Sequence, residues 1–205
     1  MKKIKIDDCI CHSKLKEHSK IRNLILSEID KTSDGNLNRI DSIYSDNISK
    51  FDWPLSDSTE RPWIKIFLPV FIDNLKEVIS SMGYNRVNIN HVWYQQYLEG
   101  DTHGWHIHGQ HFTGVYYLEF PEGCSKTEIC SPYDLKSKII DVVEGDFIVF
   151  PAHYIHRGLP NTKKRKTIIS YNFNANGNLI DNKHGLNLDL IREMNPDSFN
   201  SMGVT

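Results

Sequence analysis

The stretch Gly100-Asp-Thr-His-Gly-Trp-His106-Ile-His108 carries two histidines one residue apart. On an extended backbone, residues at i and i+2 point to the same side, so His106 and His108 can face one interior together. Neutral imidazole is a ligand for iron, copper, nickel and zinc, and two such groups make an incomplete site. The third must come from elsewhere in the chain. His156 is the candidate, in Gly145-Asp-Phe-Ile-Val-Phe-Pro151-Ala-His-Tyr-Ile-His156. There Gly145-Asp146 supplies a turn and Phe147 to Phe150 a buried strand, which Pro151 ends because it has no N–H to donate.

Around these two segments the hydrophobic period is two. Arg86 to Leu98, His111 to Phe120, Lys138 to Val143, Asp146 to Phe150 and Lys166 to Phe173 alternate and are rich in Val, Ile, Tyr and Phe, which predicts strands. Short strands at close spacing, separated by Gly, Pro and Asn, indicate an antiparallel sandwich or barrel. Further out the period changes. Ile21, Leu24, Ile25 and Ile29 predict a helix over 13–31 with Ser13 as its N-cap. Phe71, Leu75, Val78, Ile79 and Met82 predict a second, with Pro69 in its first turn and Gly83 at its left-handed end. Thr32 to Pro62 reads as a long polar loop, and Asn176 to Thr205 as a polar tail in which Leu186, Leu188, Leu190 and Ile191 could form a short helix. The expectation is one mainly-β (α+β) domain over 1–205. Helical support and loop occupy 1–84, the β core 85–175 with the N-terminal helices packed on its sheet, and a C-terminal extension 176–205.

The bulk properties exclude several classes. With 24 Lys+Arg against 26 Asp+Glu, no global field draws the chain to nucleic acid or to an anionic membrane. It has no apolar run of about 18 residues and no apolar segment after the basic start, so neither a spanning helix nor a signal peptide is expected. Cys9, Cys11, Cys124 and Cys130 are too few and too scattered for a secreted disulfide framework. Cys9-Ile-Cys11-His12 could be half of a zinc site, but a matching half is missing. The expected compartment is the cytoplasm, and the expected state a monomer or homodimer.

The pattern Gly100, five residues, His106-x-His108, then Gly145, five residues, Pro151 and His156 resembles the two motifs of the cupin superfamily, whose double-stranded β-helix, or jelly roll, holds a metal at its mouth. Two positions depart from it. No Glu follows His108 at the expected spacing, and His153 stands where the second motif has Gly.

A tighter resemblance is to the 2-oxoglutarate and Fe(II)-dependent oxygenases, especially prolyl 4-hydroxylase-like members and related uncharacterised proteins of marine phage and bacterial genomes. It covers about residues 91 to 174. The segments that carry it are Trp93-Tyr-Gln-Gln-Tyr97-Leu-Glu-Gly100, Trp105-His-Ile-His108, Thr113-Gly-Val-Tyr-Tyr117-Leu-Glu, Glu144-Gly-Asp-Phe-Ile-Val-Phe-Pro151, His156-Arg-Gly and Arg165-Lys-Thr-Ile-Ile-Ser170-Tyr-Asn-Phe.

The resemblance implies that His106 and His156 are the first and distal metal ligands, and that His108 occupies the position where the family has Asp or Glu. It implies that Lys166, ten residues after His156, holds the far carboxylate of 2-oxoglutarate, with Ser170 on the same strand face and Tyr117 and Tyr97 lining that pocket. Arg165 is the second choice for the carboxylate partner, His103 and His111 are reserve ligands, and Asp101 is a possible substitute acid. Trp105 and Asn172 complete the candidates. The implied activity is that of a dioxygenase that uses Fe(II), O2 and 2-oxoglutarate, releases succinate and hydroxylates a small-molecule or peptidyl substrate. Two alternatives stay open: a three-histidine cupin-type dioxygenase or other metalloenzyme without 2-oxoglutarate, and a non-catalytic jelly-roll binding module that retains a metal.

Overall fold

The structure, a computed structural model, describes residues 10–33, 35–40 and 45–178. These begin with a short strand, β1 (Cys11–Lys14), where the sequence predicts a helix start, so Ser13 pairs with Phe147 and caps nothing. The helix α1 (His18–Asp30) opens four residues later with no side-chain cap. Its buried stripe is Ile21, Ile25, Leu26 and Ile29, while Leu24 faces solvent.

The expected loop over 32–62 contains β2 (Leu37–Ile40), β3 (Ser45–Ile48), β4 (Lys50–Phe51) and a 3-10 turn, Trp53–Leu55. Sequence alternation misses these strands because they are two to four residues long and largely polar. The helix α2 (Pro62–Ser81) is also longer than its spacing predicts. Pro62 occupies the first turn, where a missing N–H costs nothing. Pro69 lies inside the helix, on an exposed position. Gly83 follows the C-cap Met82 with φ +89°, the left-handed conformation that glycine adopts without strain.

The remaining strands are β5 (Tyr84–Tyr97), β6 (His103–His106), β7 (Phe112–Glu119), β8 (Thr127–Cys130), β9 (Ser137–Ile139), β10 (Asp146–Pro151), β11 (Ile155–Gly158) and β12 (Lys166–Asn178). Of the strand expected over 138–143, only its start is present, in β9. Among the described residues one antiparallel sheet runs β1-β10-β7-β12-β5-β4 and faces a second, β6-β11-β8-β9; β2 and β3 pair as a hairpin. This is the expected jelly-roll arrangement, mainly β with helices packed on one sheet.

Two apolar clusters flank the large sheet. Helices α1 and α2 press Ile25, Ile29, Phe67, Phe71 and Leu75 against Tyr116, Phe147, Tyr171 and Phe173. Between the sheets, Tyr97, Val115, Tyr117, Ile148, Phe150 and Ile168 form the other cluster. Each such side chain, fully buried, contributes about 1.5–3 kcal/mol. The sheet also requires a glycine at 114. A Cβ there would lie 2.3 Å from the Ile148 carbonyl oxygen and 2.4 Å from the Tyr171 ring, because β7 passes under both. The second cluster stops short of the open end, and the space beyond it is the candidate site.

Candidate metal centre and its cavity

Strand register brings the first two histidines together. In the β6–β11 ladder His156 stands directly opposite His106, and their ring centroids are 4.2 Å apart. The path from β10 explains how His156 arrives. Gly145, at φ +90°, turns the chain into β10, which ends at Pro151. The Tyr154 N–H then donates to the Pro151 carbonyl, closing a turn into β11.

His108 lies just past the end of β6, and its N–H donates to the Ala152 carbonyl at 2.9 Å. Its ring is 5.1 Å from each of the other two. One ring nitrogen from each of His106, His108 and His156 lies within 4.8 Å of the others.

The outer nitrogens of these rings are spoken for. His106 Nδ1–H donates to the Gly104 carbonyl at 2.7 Å and His156 Nδ1–H to the Tyr154 carbonyl at 2.9 Å, which fixes both tautomers and leaves Nε2 as a lone pair. Asn172 supplies the third. Its amide nitrogen is 3.2 Å from His108 Nδ1, while its Oδ1 is buried with no partner. A half-turn of the amide exchanges the two atoms: Oδ1 would then accept Nδ1–H, the tautomer that leaves His108 Nε2 as a lone pair. Burial pushes all three imidazoles down, His108 to about 3 and His156 well below its usual value. They are therefore neutral ligands at neutral pH. Three convergent, neutral, oriented imidazoles fit a divalent transition metal.

A cavity opens beside them. Trp93, Gln95 and Tyr97 reach it from alternate positions of β5, Tyr117 from β7, Thr127 from β8, and Lys166, Ile168 and Ser170 from β12. Lys166 is 3% exposed, directly across the ladder from Tyr97. Its ammonium donates to the Ser125 carbonyl at 3.0 Å and sits 4.3 Å from the Tyr97 ring centroid. No carboxylate pairs with it among the described residues, and burial lowers its pKa to about 8. Tyr117 donates its hydroxyl to Thr127 Oγ1 at 2.7 Å, and Ser170 to Gln95 Oε1 at 3.3 Å. Burial raises the pKa of Tyr97 and Tyr117, so both remain phenols.

Four sequence candidates are placed elsewhere. Arg165 points away from the cavity, bound to both oxygens of Glu119 and to Asp30, because adjacent strand residues face opposite ways. Asp101 is buried but accepts from Asn47 Nδ2 and from the Ser49 and Leu98 N–H groups, so it ties loops together. His111 is exposed and bonds to the Ala175 carbonyl. Trp105 is 38% exposed, under the guanidinium of Arg157. His103, the other reserve, does line the cavity, stacked on His106 at 3.8 Å with planes 23° apart. Of the Cys9-Ile-Cys11-His12 stretch, Cys9 lies outside the described residues and His12 is held by Asp146 at 2.8 Å. The tail residues 186–191 also lie outside them. Trp93, read from the sequence as core or pocket wall, lines the cavity; Gln95 and Thr127 escape a sequence reading, although the alternation that places Tyr97 inward also places Gln95 there.

No protein-family profile and no curated protein matches this chain. Solved structures do. A Pseudomonas putida prolyl-4-hydroxylase superposes with a TM-score of 0.58 at 15% identity, covering 83% of this chain and 94% of its own. A viral collagen prolyl hydroxylase from Paramecium bursaria Chlorella virus-1, solved with 2-oxoglutarate, gives 0.55 at 16% identity over 80% and 94%. A 2OG-Fe(II) oxygenase family oxidoreductase from Burkholderia pseudomallei gives 0.61 at 12% identity over 80% and 84%. At these identities it is the fold that is shared: the chain is built on the jelly roll of the 2-oxoglutarate–Fe(II) oxygenases.

Proposed function

We propose that this protein is a 2-oxoglutarate- and Fe(II)-dependent dioxygenase that hydroxylates a small-molecule or peptidyl substrate. The observation that carries the reading is Lys166, a buried ammonium in the same cavity as the three histidines and without a carboxylate partner. A buried cation is costly unless an anion offsets it, and a dicarboxylate chelating at the histidines would bring its far carboxylate to that end. The phenol of Tyr117 and the hydroxyls of Thr127 and Ser170 stand beside it as further donors.

His106, His108 and His156 would hold the iron, with Asn172, Gly104 and Tyr154 orienting them. Iron(II) supplies dioxygen chemistry and leaves open positions for a chelating 2-oxo acid. The protein binds and aligns the reactants, while Tyr97, Val115, Tyr117 and Ile168 keep the cavity floor dry. Two comparison structures also hold a ligand, 2-oxoglutarate in the viral hydroxylase and a hypoxia-inducible-factor peptide in a Trichoplax adhaerens prolyl hydroxylase. The test is anaerobic titration of the Fe(II)-loaded protein with 2-oxoglutarate. A saturable visible charge-transfer band is expected. Its absence, with iron bound, would favour a three-histidine metalloenzyme that uses no 2-oxo acid.

A further inference from the structure

Among the described residues no carboxylate lines the cavity that contains the three imidazoles. A divalent ion held by neutral ligands alone keeps both of its charges in a poorly polarisable surrounding, which weakens binding and disfavours higher oxidation states. One carboxylate stands a single imidazole away. Asp46, on β3, is 8% exposed, and its Oδ1 accepts the Gly104 N–H at 2.9 Å and lies 3.7 Å from His103 Nε2. His103 in turn stacks face to face on His106. The amide of Gln95 is 3.4 Å from His103 Nδ1; in the tautomer where Nδ1 accepts from it, Nε2 carries the proton and presents it toward Asp46.

This placement is built into the backbone. Asn47 and Thr102 exchange two backbone hydrogen bonds, of 2.9 and 2.8 Å, that dock the β2–β3 hairpin beside β6. At Gly104 a Cβ would come within 3.0 Å of the Ser45 nitrogen and 3.3 Å of its oxygen, so a side chain there would crowd the approach. The other charged residue near Asp46 in register is Arg39, opposite it on β2.

We propose that Asp46, acting through His103, offsets the metal's charge in place of the carboxylate that position 108 lacks, and so sets metal affinity and the balance between ferrous and ferric iron. Asp46 is a positioning residue in this role and touches no reactant. The inference rests on the three-histidine metal centre proposed above, but not on the use of 2-oxoglutarate.

The test uses the full chain and Asp46→Asn, which keeps an acceptor for the Gly104 N–H and removes the charge. Zn(II) affinity is measured by competition with a chromophoric chelator, and the ferric/ferrous midpoint potential by redox titration. Zn(II) affinity should fall about 10- to 100-fold, the range seen when a ligand's outer partner is lost. The potential should rise, because ferric iron loses more stabilisation than ferrous. Asp46→Glu should restore part of both, and His103→Phe, which keeps the stack and breaks the link, should shift both in the same direction as Asp46→Asn. If Asp46→Asn does not fold, His103→Phe decides alone. Unchanged affinity and potential, with binding abolished in His156→Ala, would overturn the role of Asp46 and leave the metal centre standing. Failure of the unaltered chain to bind either metal would overturn both.

Discussion

His156 faces His106 across the ladder of the small sheet, ring centroids 4.2 Å apart, so the backbone register itself forms half of the candidate centre. The remaining ligand, His108, depends on the loop after β6 and on one amide, Asn172. That division predicts where the centre is vulnerable.

Replacing Asn172 with Leu should leave the fold intact and lower Zn(II) affinity about 10- to 100-fold, because His108 loses the partner that fixes its tautomer. Asn172→Asp should bind at least as tightly, since a carboxylate oxygen accepts Nδ1–H equally well. Chelator competition measures both, and an unaffected Leu variant would remove Asn172 from the centre.

Lys166→Met removes the buried charge and keeps the shape. A hydrogen bond to a charged group is worth about 1.5–3 kcal/mol, so 2-oxoglutarate affinity should fall roughly 10- to 100-fold while metal affinity is unchanged. Thermal stability should not drop, because the ammonium has no carboxylate to lose. Calorimetric titration of the metal-loaded protein separates the two constants.

The same lysine sets a pH dependence. Its pKa is lowered to about 8 by burial, below the unfolded value of 10.5. The ammonium is therefore present below about pH 8, and 2-oxoglutarate binding should be strong there and weaken as pH rises through that point. The stability consequence has the opposite sign. Between about pH 8 and 10.5 the unfolded chain holds the extra proton, so this group's contribution to stability increases with pH. Binding isotherms from pH 6.5 to 9.5 test the first statement, and denaturant melts over the same range and up to pH 10.5 test the second.

Gly114→Ala puts a methyl group 2.3 Å from a backbone oxygen. Strand β7 or Tyr171 must shift, and overpacking of this kind costs about 1–3 kcal/mol. Chemical denaturation should show a lower midpoint with an unchanged slope; an unchanged midpoint would mean the sheet relaxes freely there.

Much of this was legible in the chain. The i, i+2 histidines, the Gly145 turn and the Pro151 stop are local features, and each is realised where the spacing puts it. Lys166, preferred to Arg165 for its place ten residues after His156, is the one that faces in, and strand parity turns Arg165 the other way. The β2–β3 hairpin was not legible. Asp46 and Asn47 act through backbone docking against β6, a tertiary contact between polar residues that leaves no periodic trace. For the same reason Asp101, next in chain to the glycine of the motif, reads as a possible ligand although its oxygens are consumed by Asn47, Ser49 and Leu98. Pro69 misled in another way. Proline suits a helix's first turn and is costly in its interior, so Pro69 suggested a start, yet it lies inside α2 on an exposed position.

The central claim is that three imidazoles and no protein carboxylate hold a single metal ion. X-ray absorption on the full chain loaded with one equivalent of Zn(II) or anaerobic Fe(II) tests it most directly. One ion per chain is expected, with three imidazole ligands in its scattering, and the bound metal should be lost in His156→Ala. An ion that binds equally well without His156, or whose scattering shows fewer than three imidazoles, would contradict it.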